Sequence, residues 1–322
     1  MANKIYSLGF YGDIHLASKN YGAHRDYPKE SLYYFREITK VVEKRGLTHL
    51  VGAGDFTYGR FHSLEYRLAI EAELEKQYKL TNGNRYELRG NHDEAGYGLT
   101  ERDYYVQKGF IKASENLTLG NLNITMVDYG KMGETEPNII DDTEHVNIIF
   151  GHDFYYFKTL PTPAFGNPLY VDNYEKWFGV DYICCGHIHK IMDFKGFILK
   201  NGMVHDCKIH YMGCMTRPSY QQDLDKIGQI LIIDVYDDGK IDLGFEDIEL
   251  WELTESFNLE LKNKEEMEKE ERASRVDITD IVNQLDAHDR SIGSPDAIID
   301  MLQGIDERYK VKAKNLLKDA MG

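Results

Sequence analysis

The feature that most constrains this chain is a set of five short polar motifs, each of which begins with glycine and follows a predicted strand. The motifs are Gly12-Asp13-Ile14-His15, Gly54-Asp55, Gly90-Asn91-His92-Asp93, Gly151-His152-Asp153 and Gly186-His187-Ile188-His189. A glycine at the start lets the backbone turn sharply and approach an ion closely. In open α/β sheets, ligand sites form outside the carboxyl ends of strands, so such loops can converge. The motifs therefore require a fold that brings several strand ends together.

The pattern of apolar residues predicts such a fold. Apolar runs predict strands over residues 5–11, 49–53, 85–88, 122–128, 146–150 and 182–185. Apolar residues at helical spacing predict helices over residues 30–45 and 64–78. Strands and helices alternate often enough to predict a layered α/β core. Residues 230–236 and 241–250 then flank Asp237-Asp238-Gly239-Lys240, which is typical of a β-hairpin with an Asp-Gly turn.

The C-terminal part of the chain has a different character. Residues 262–272 are mostly charged, and helices are predicted over residues 278–288 and 295–320, the second with Ser294 as its N-cap. We therefore predict two domains, residues 1–255 and a small C-terminal helical appendage with a charged linker, residues 256–322. The apolar side chains of the appendage need burial, either against a partner protein or within the same chain.

The net charge bears on what the protein can bind. The formal charge is -16 and the pI is about 5.2. An acidic chain is repelled at long range by phosphate polymers, which counts against nucleic-acid binding. Bound divalent cations would return positive charge at the place where a substrate sits. The charge therefore weakens a nucleic-acid interpretation without removing it.

Cysteine usage and hydropathy indicate where the protein acts. Cys184, Cys185, Cys207 and Cys214 lack the paired C-x-x-C spacing of a zinc site, so we expect buried free thiols. The N-terminal residues are too short and polar a stretch for a signal peptide. No apolar run reaches the length that spans a bilayer, so no membrane association is expected. These features predict a cytoplasmic protein.

The residue types of the five motifs are those that a pair of divalent ions requires. Two ions about 3.5–4 Å apart need a bridging carboxylate, and mixed nitrogen and oxygen ligands suit such ions. If Asp13-Ile14-His15 and His187-Ile188-His189 stay extended, each presents two side chains on one face. A single Asp-x-His or Gly-Asp motif is common on protein surfaces, whereas the whole ordered set at predicted strand ends is not. The set therefore predicts a metal site.

With these motifs in this order, residues 5–250 resemble the calcineurin-like metallophosphoesterase superfamily. The resemblance implies a layered β-sandwich core flanked by helices. It also implies one ion held by Asp13, His15, Asp55 and His189, and a second ion held by Asp55, Asn91, His152 and His187, with Asp55 bridging. His92 would be the unligated histidine, which acts as the catalytic acid near the leaving group. Many members carry a second aspartate where this chain has Tyr58, so we expect altered support around the site without loss of metal.

Within the superfamily, the chain looks most like the SbcD-type DNA nuclease subunits. Phe10-Tyr11-Gly12-Asp13-Ile14-His15-Leu16-Ala17 resembles their opening motif, and Tyr211, Gly213 and Arg217 follow the last motif where those enzymes have the same residue types. The hairpin and helical tail complete the order. Cys214 departs from them, since they often have serine there.

This resemblance implies a nuclease that cleaves DNA as an exonuclease or endonuclease in end processing, repair or recombination. Its two divalent ions would be Mn²⁺, with Mg²⁺, Fe²⁺ or Zn²⁺ as alternatives. Its partner would be an SMC-like ATPase bound through the C-terminal helical region, and a homodimer is a further option. It would act in the cytoplasm at the nucleoid, or in the host cytoplasm if it is viral.

Arg89, Tyr211 and Arg217 are the candidate DNA contacts: Arg89 and Arg217 lie closest in sequence to the motif loops, and the resemblance implies Tyr211. Tyr211 and Arg217 could equally pack and form ion pairs near a strand end. Two other functions remain open at this point. One is a stand-alone phosphoesterase on nucleotides, cyclic nucleotides or phosphoproteins, and the other is a binding module with an inert site.

Overall fold

The structure is a computed structural model, and it describes residues 2–20, 24–58, 62–93, 99–161, 163, 166–217, 228–258, 260, 264 and 267. The chain divides into two compact units, Met1–Lys262 and Asn263–Gly322. The predicted helices over residues 278–288 and 295–320 lie outside the described residues, and the predicted domain boundary after residue 255 stays a prediction. No helix in the described ranges combines the length and the apolar character needed to cross a bilayer.

The described part of the first unit is built mainly from strands. In chain order these are β1 (Lys4–Tyr11), β2 (His49–Gly52), β3 (Arg85–Glu87), β4 (Leu117–Leu119), β5 (Leu122–Val127), β6 (Val146–Gly151), β7 (Tyr155–Tyr156), β8 (Leu169–Tyr170), β9 (Tyr182–Cys185), β10 (Ile191–Lys200), β11 (Met203–Met212), β12 (Gln229–Tyr236) and β13 (Ile241–Asp247). The α-helices are α1 (Tyr27–Arg45), α2 (Leu64–Leu80), α3 (Glu101–Gln107) and α4 (Leu253–Ser256). Two 3-10 helices cover Val171–Asn173 and Glu175–Trp177.

Two larger sheets form the sandwich. The first has the order β13-β12-β1-β2-β3, and the second has the order β10-β11-β9-β6-β5-β4. In the first sheet β1, β2 and β3 run parallel, and in the second sheet β5, β6, β9 and β11 run parallel. Parallel strands end at one edge, so the loops after β1, β2 and β3 emerge on the same side. The loops after β6 and β9 do the same in the second sheet.

Apolar side chains from both sheets fill the space between them. Phe10 of β1 stacks on Phe150 of β6 with ring centroids 4.1 Å apart and planes 5° apart. A second apolar cluster packs α1, α2 and α3 on the outer face of the first sheet, with Phe35, Ile70 and Tyr105 fully buried. This arrangement confirms the predicted fold class, a layered β-sandwich flanked by helices.

Helix α1 begins earlier than its apolar pattern predicts. Its first residue is Tyr27, and the Asp26 carboxylate accepts a hydrogen bond from Lys29 N. Pro28 lies in the first turn, where proline has no intrahelical partner to lose. The helix ends at Gly46, whose left-handed φ of 61° closes the last turn as expected.

Several elements are absent from the sequence predictions, among them a long hairpin and helix α3. The longest hairpin joins β10 to β11 through Asn201-Gly202, and both turn residues have positive φ. Asn-Gly strongly favours such a turn, so the sequence did contain evidence for this hairpin. Helix α3 begins with a capping box between Thr100 and Asp103, which is also a recognisable signal.

Candidate metal centre

The five motif loops meet at the edge where the parallel strands end. The backbone fixes them to one another: His15 N donates to Asp55 O at 3.0 Å, and Gly186 N donates to Gly151 O at 3.1 Å. Met215 N donates to Asp13 O at 2.6 Å, which brings the chain after β11 to the same place. The ligand-type side chains are therefore held by hydrogen-bonded loops.

Two of the motif glycines are required because a carboxylate lies against them. A Cβ atom at Gly90 would lie 2.1 Å from Asp55 Oδ1, and one at Gly186 would lie 2.1 Å from Asp13 Oδ1. No side chain fits at such distances. Glycine here allows two buried carboxylates to be enclosed by backbone.

Three of the ligand-type residues have a left-handed backbone. The φ angles are 48° at His15, 49° at Asp55 and 72° at His187. Asp13-Ile14-His15 and His187-Ile188-His189 are therefore not extended, contrary to the assumption made from the sequence. The physical reason is that each loop turns sharply within four residues of the end of its strand, and Asp and His tolerate this conformation better than most residues.

One half of the site consists of two facing imidazoles and two carboxylates. His15 Nε2 and His189 Nε2 lie 3.1 Å apart. His189 Nε2 is 3.8 Å from Asp13 Oδ2, and His15 Nε2 is 3.8 Å from Asp55 Oδ2. Ligands bound to one ion at about 2.0–2.2 Å lie about 3.0–3.5 Å from each other, which is close to these separations.

The other half is arranged around the amide oxygen of Asn91. Asn91 Oδ1 is 2.9 Å from His187 Nδ1 and 3.1 Å from His152 Nε2. His152 Nδ1 donates to the Ala53 carbonyl oxygen at 2.7 Å, so Nε2 is the ring nitrogen that can bind an ion once it has released its proton. These three side chains can hold a second cation.

Asp55 is shared by the two halves. Its Oδ2 lies 3.8 Å from His15 Nε2 and 3.4 Å from His152 Nε2, while its Oδ1 accepts from His92 N at 2.8 Å. The structure thus brings together all seven predicted ligands, with Asp55 between the halves. The residues present fit two divalent ions with a shared carboxylate.

The electrostatics of the site favour a bound cation. Burial raises the pKa of Asp55, but the neighbouring imidazole of His152 outweighs it and holds the pKa well below its usual range. Burial alone would lower the pKa of His152, but the Asp13 and Asp55 carboxylates together outweigh burial and raise the pKa to about 10. The buried Asp55 carboxylate therefore keeps its negative charge, which needs a positive partner inside the protein.

His92 lies at the exposed edge of this cluster. Its side chain is 40% exposed, and its Nε2 is 4.0 Å from Asp55 Oδ2. Its ring packs against His15 and Tyr58, with centroids 5.3 Å and 5.0 Å away. The imidazole therefore faces the place where a substrate would approach, beside the ligands.

Asp93 is a buried carboxylate that connects two of the motif loops. Asp93 is buried, and its Oδ2 accepts from Gly90 N at 3.0 Å and from Phe56 N at 3.3 Å, which ties the second and third motif loops together. Burial, with the nearby Asp55 charge, raises its pKa to about 7. In the sequence, the position of Asp93 at the end of the third motif was what pointed to a role at the site.

Of the three predicted DNA contacts, only Arg89 is partly accessible. Its side chain is 33% exposed and pairs with Asp103 at 2.5 Å. Tyr211 is buried, and its hydroxyl donates to Tyr155 O at 2.7 Å. Arg217 is also buried, and its Nη1 donates to Trp251 O at 2.6 Å and Ser256 Oγ at 2.9 Å. Tyr211 and Arg217 are therefore buried and bonded to other groups of the described part of the chain, which is the structural alternative left open by the sequence.

One further residue at the site was not predicted from the sequence. A ring nitrogen of His15, a ring nitrogen of His189 and Cys214 Sγ all lie within 4.8 Å of one another. The thiol was expected to be buried and inert, and it is buried. Its departure from the serine common in similar chains was the available signal.

A family model for calcineurin-like phosphoesterases matches residues 6–191, more than half of the chain. The chain belongs to this family. The match confirms the superfamily resemblance of the five motifs. A calcineurin-like phosphoesterase is a metal-dependent hydrolase of phosphoester bonds, and the ligand cluster described above is its candidate metal centre.

Solved structures include distant matches to this family member. One is the protein TT1561 of Thermus thermophilus, with 9% identity over 74% of this chain and 98% of that chain and a TM-score of 0.40. Another is a dimetal phosphatase from Danio rerio, with 12% identity over 76% of this chain and 96% of that chain and a TM-score of 0.42. No curated protein sequence matches significantly.

Proposed function

We propose that this phosphoesterase is a Mn²⁺-dependent DNA nuclease subunit that hydrolyses phosphodiesters in DNA end processing, repair or recombination. Mg²⁺, Fe²⁺ and Zn²⁺ are the alternative ions. The proposed partner is an SMC-like ATPase that binds the C-terminal residues 256–322.

The observation that carries the proposal is the position of His92. It is the most exposed imidazole beside the shared carboxylate, and its Nε2 lies 4.0 Å from Asp55 Oδ2. A phosphodiester of DNA has a poor leaving group, so its cleavage benefits from a proton donor at the departing oxygen. His92 is placed to hold that proton at Nε2.

The remaining roles follow from the chain's own side chains. Asp13, His15, Asp55 and His189 would hold one ion, and Asp55, Asn91, His152 and His187 the other. A bound ion pair polarises the phosphoryl oxygens and makes water a stronger nucleophile near neutral pH. Tyr58 holds the His92 ring from one side, which restricts its orientation.

The support for DNA as substrate is the resemblance of the motifs to the SbcD-type subunits, together with the partly exposed Arg89 guanidinium beside the third motif. The experiment is an assay of the full chain on linear duplex and single-stranded DNA with Mn²⁺. DNA degradation that EDTA abolishes and that a candidate SMC-like ATPase stimulates is the expected result. Intact DNA under all of these conditions would contradict the proposal.

A specific observation favours a second function, a stand-alone phosphoesterase on nucleotides, cyclic nucleotides or phosphoproteins. The chain has a formal charge of -16, and Tyr211 and Arg217 are buried and hydrogen-bonded within the protein. The two functions differ in substrate size. Hydrolysis of mononucleotides or phosphopeptides with intact DNA would select the second.

The ATPase partnership is tested separately. Deleting residues 263–322 removes the second compact unit and leaves the first complete. We expect the shortened chain to lose ATPase binding and to keep hydrolysis of bis-p-nitrophenyl phosphate. Unchanged binding of the ATPase would show that the partner uses another surface.

A further inference from the structure

We propose that Cys214 is a thiolate ligand of the ion held by His15 and His189. This ligand would make that half of the centre selective for thiophilic ions such as Zn²⁺, Co²⁺ or Fe²⁺ over Mn²⁺ and Mg²⁺. The inference rests on the two-metal centre of the proposed function, it would confine Mn²⁺ to the half around Asn91, and it does not depend on DNA as the substrate.

The backbone holds Cys214 against a predicted ligand. Cys214 forms a parallel β-bridge with Asp13, and Met215 N donates to Asp13 O at 2.6 Å. The approach is close, since a Cβ atom at Gly12 would lie 1.9 Å from Gly213 O. The Cα atom of Cys214 is therefore fixed beside the first motif, and only its side chain can rotate.

The ligand atoms are close enough for a common ion. Cys214 Sγ lies within 4.8 Å of a ring nitrogen of His15 and of His189. With Zn–S at about 2.3 Å and Zn–N at about 2.0–2.1 Å, sulfur and nitrogen bound to one ion lie about 3.6 Å apart. The separations in the structure exceed this by about 1 Å at most, and ion binding would require the Cys214 side chain to move by that amount from its contact with Thr216 Oγ1 at 3.5 Å.

Cys214 differs from the other cysteines in its closeness to possible metal ligands. All four cysteines are buried thiols. Among the residues that the structure describes, Cys214 is the cysteine that falls in a cluster of metal-ligand atoms. Cys207 lies within β11, with its Sγ directed at the Lys208 carbonyl oxygen at 3.9 Å. Cys207 therefore serves as a matched buried control.

The two halves of the centre would then differ in their donor atoms, because only one of them would contain a polarisable sulfur. The half around Asn91 offers an amide oxygen and two imidazoles, which suit a harder ion. The half around His15 and His189 would add a soft sulfur donor, which favours thiophilic ions. Binding forms one metal–sulfur bond and releases the thiol proton to solvent, with no change of oxidation state.

The experiment is titration of the full chain with Co²⁺ alone while the near-ultraviolet spectrum is recorded. A thiolate bound to Co²⁺ gives a sulfur-to-metal charge-transfer band. We expect the band in the parent and in Cys207→Ser, and its loss in Cys214→Ser. We also expect Cys214→Ser to lose at least about 10-fold in Zn²⁺ affinity relative to Mn²⁺ affinity.

A second measurement needs no variant. X-ray absorption of the Zn²⁺-loaded parent should contain one sulfur scatterer at about 2.3 Å. Bound Co²⁺ without the band, or bound Zn²⁺ without a sulfur neighbour, would overturn the role of Cys214 and leave the two-metal proposal intact. Failure to bind either ion would overturn both. The band together with inactivity on DNA would overturn the nuclease proposal alone.

Discussion

Two buried polar regions of this molecule lie near the motif loops, and they are built differently. Around Arg217, a donor meets acceptors: the guanidinium bonds to Trp251 O and Ser256 Oγ and lies 3.7 Å from the Glu30 carboxylate. Around Asp55, by contrast, two groups of the same kind face each other: His15 Nε2 lies 3.1 Å from His189 Nε2. Complementary groups satisfy one another, whereas a set of converging lone pairs needs a cation between them. Both clusters are buried, so burial does not distinguish them. Whether donors face acceptors or lone pairs face one another does distinguish a structural cluster from a binding cluster.

The largest effect is expected from removing the shared charge. Asp55→Asn keeps the shape of the side chain and loses the carboxylate between the two halves, so we expect turnover to fall at least about 10³-fold. Hydrolysis of bis-p-nitrophenyl phosphate and metal content after dialysis measure this. Asp142→Asn, at an exposed carboxylate paired with His145, is the control. If Asp55→Asn kept the parental turnover, Asp55 would not be the shared ligand of the two ions.

His92 tests the exposed edge of that cluster. His92→Ala should keep both ions and lose about 10²–10⁴-fold in turnover, because it removes only the proton donor. Metal titration and turnover are measured on the same samples. His145→Ala, which changes an imidazole paired with Asp142, should leave both unchanged. Loss of metal in His92→Ala would instead make His92 a ligand.

Arg217 tests the structural cluster. Arg217→Met leaves Glu30 buried without its cation, so we expect a loss of about 3–5 kcal/mol in the free energy of unfolding and unchanged turnover in the folded protein. Urea unfolding measures the first. Arg36→Met, at an exposed ion pair with Glu73, should cost about 1 kcal/mol or less. Unchanged stability with weaker DNA binding would return Arg217 to the DNA contacts.

The smallest effect is expected at Tyr211. Tyr211→Phe removes the hydroxyl that donates to Tyr155 O and should cost about 0.5–1.5 kcal/mol of stability. Turnover and DNA affinity should match the parent. Tyr78→Phe, at an exposed ring, provides the comparison for thermal unfolding. A fall in DNA affinity at unchanged stability would contradict the structural role of Tyr211.

The sequence carried most of the fold because apolar runs mark buried strands. Residues 182–185 were predicted as a strand, and β9 has those bounds. The β10–β11 hairpin was missed because β10 mostly alternates exposed and partly buried residues and β11 interleaves buried residues with exposed ones, so neither strand gives an apolar run. Only its Asn201-Gly202 turn marked it. Local chemistry can therefore signal an element that hydropathy does not.

The resemblance of the five motifs to the family implied which side chains would lie together, and the structure brings those seven side chains to one place. The partners of Tyr211 and Arg217 could not be predicted, because they come from Tyr155 and Trp251, far away along the chain. Closeness to a motif in sequence does not determine which way a side chain points. Cys214 was missed for the same reason, since its neighbours His15 and His189 come from two other loops.

The left-handed backbone at His15, Asp55 and His187 has an evolutionary consequence. Each such residue costs the fold about 1–2 kcal/mol that glycine would avoid. Selection for stability alone would therefore favour glycine at these positions, and only the use of the ions opposes it. In a descendant that abandons catalysis, these three positions should drift first, and the protein should become more heat-resistant as it loses its activity.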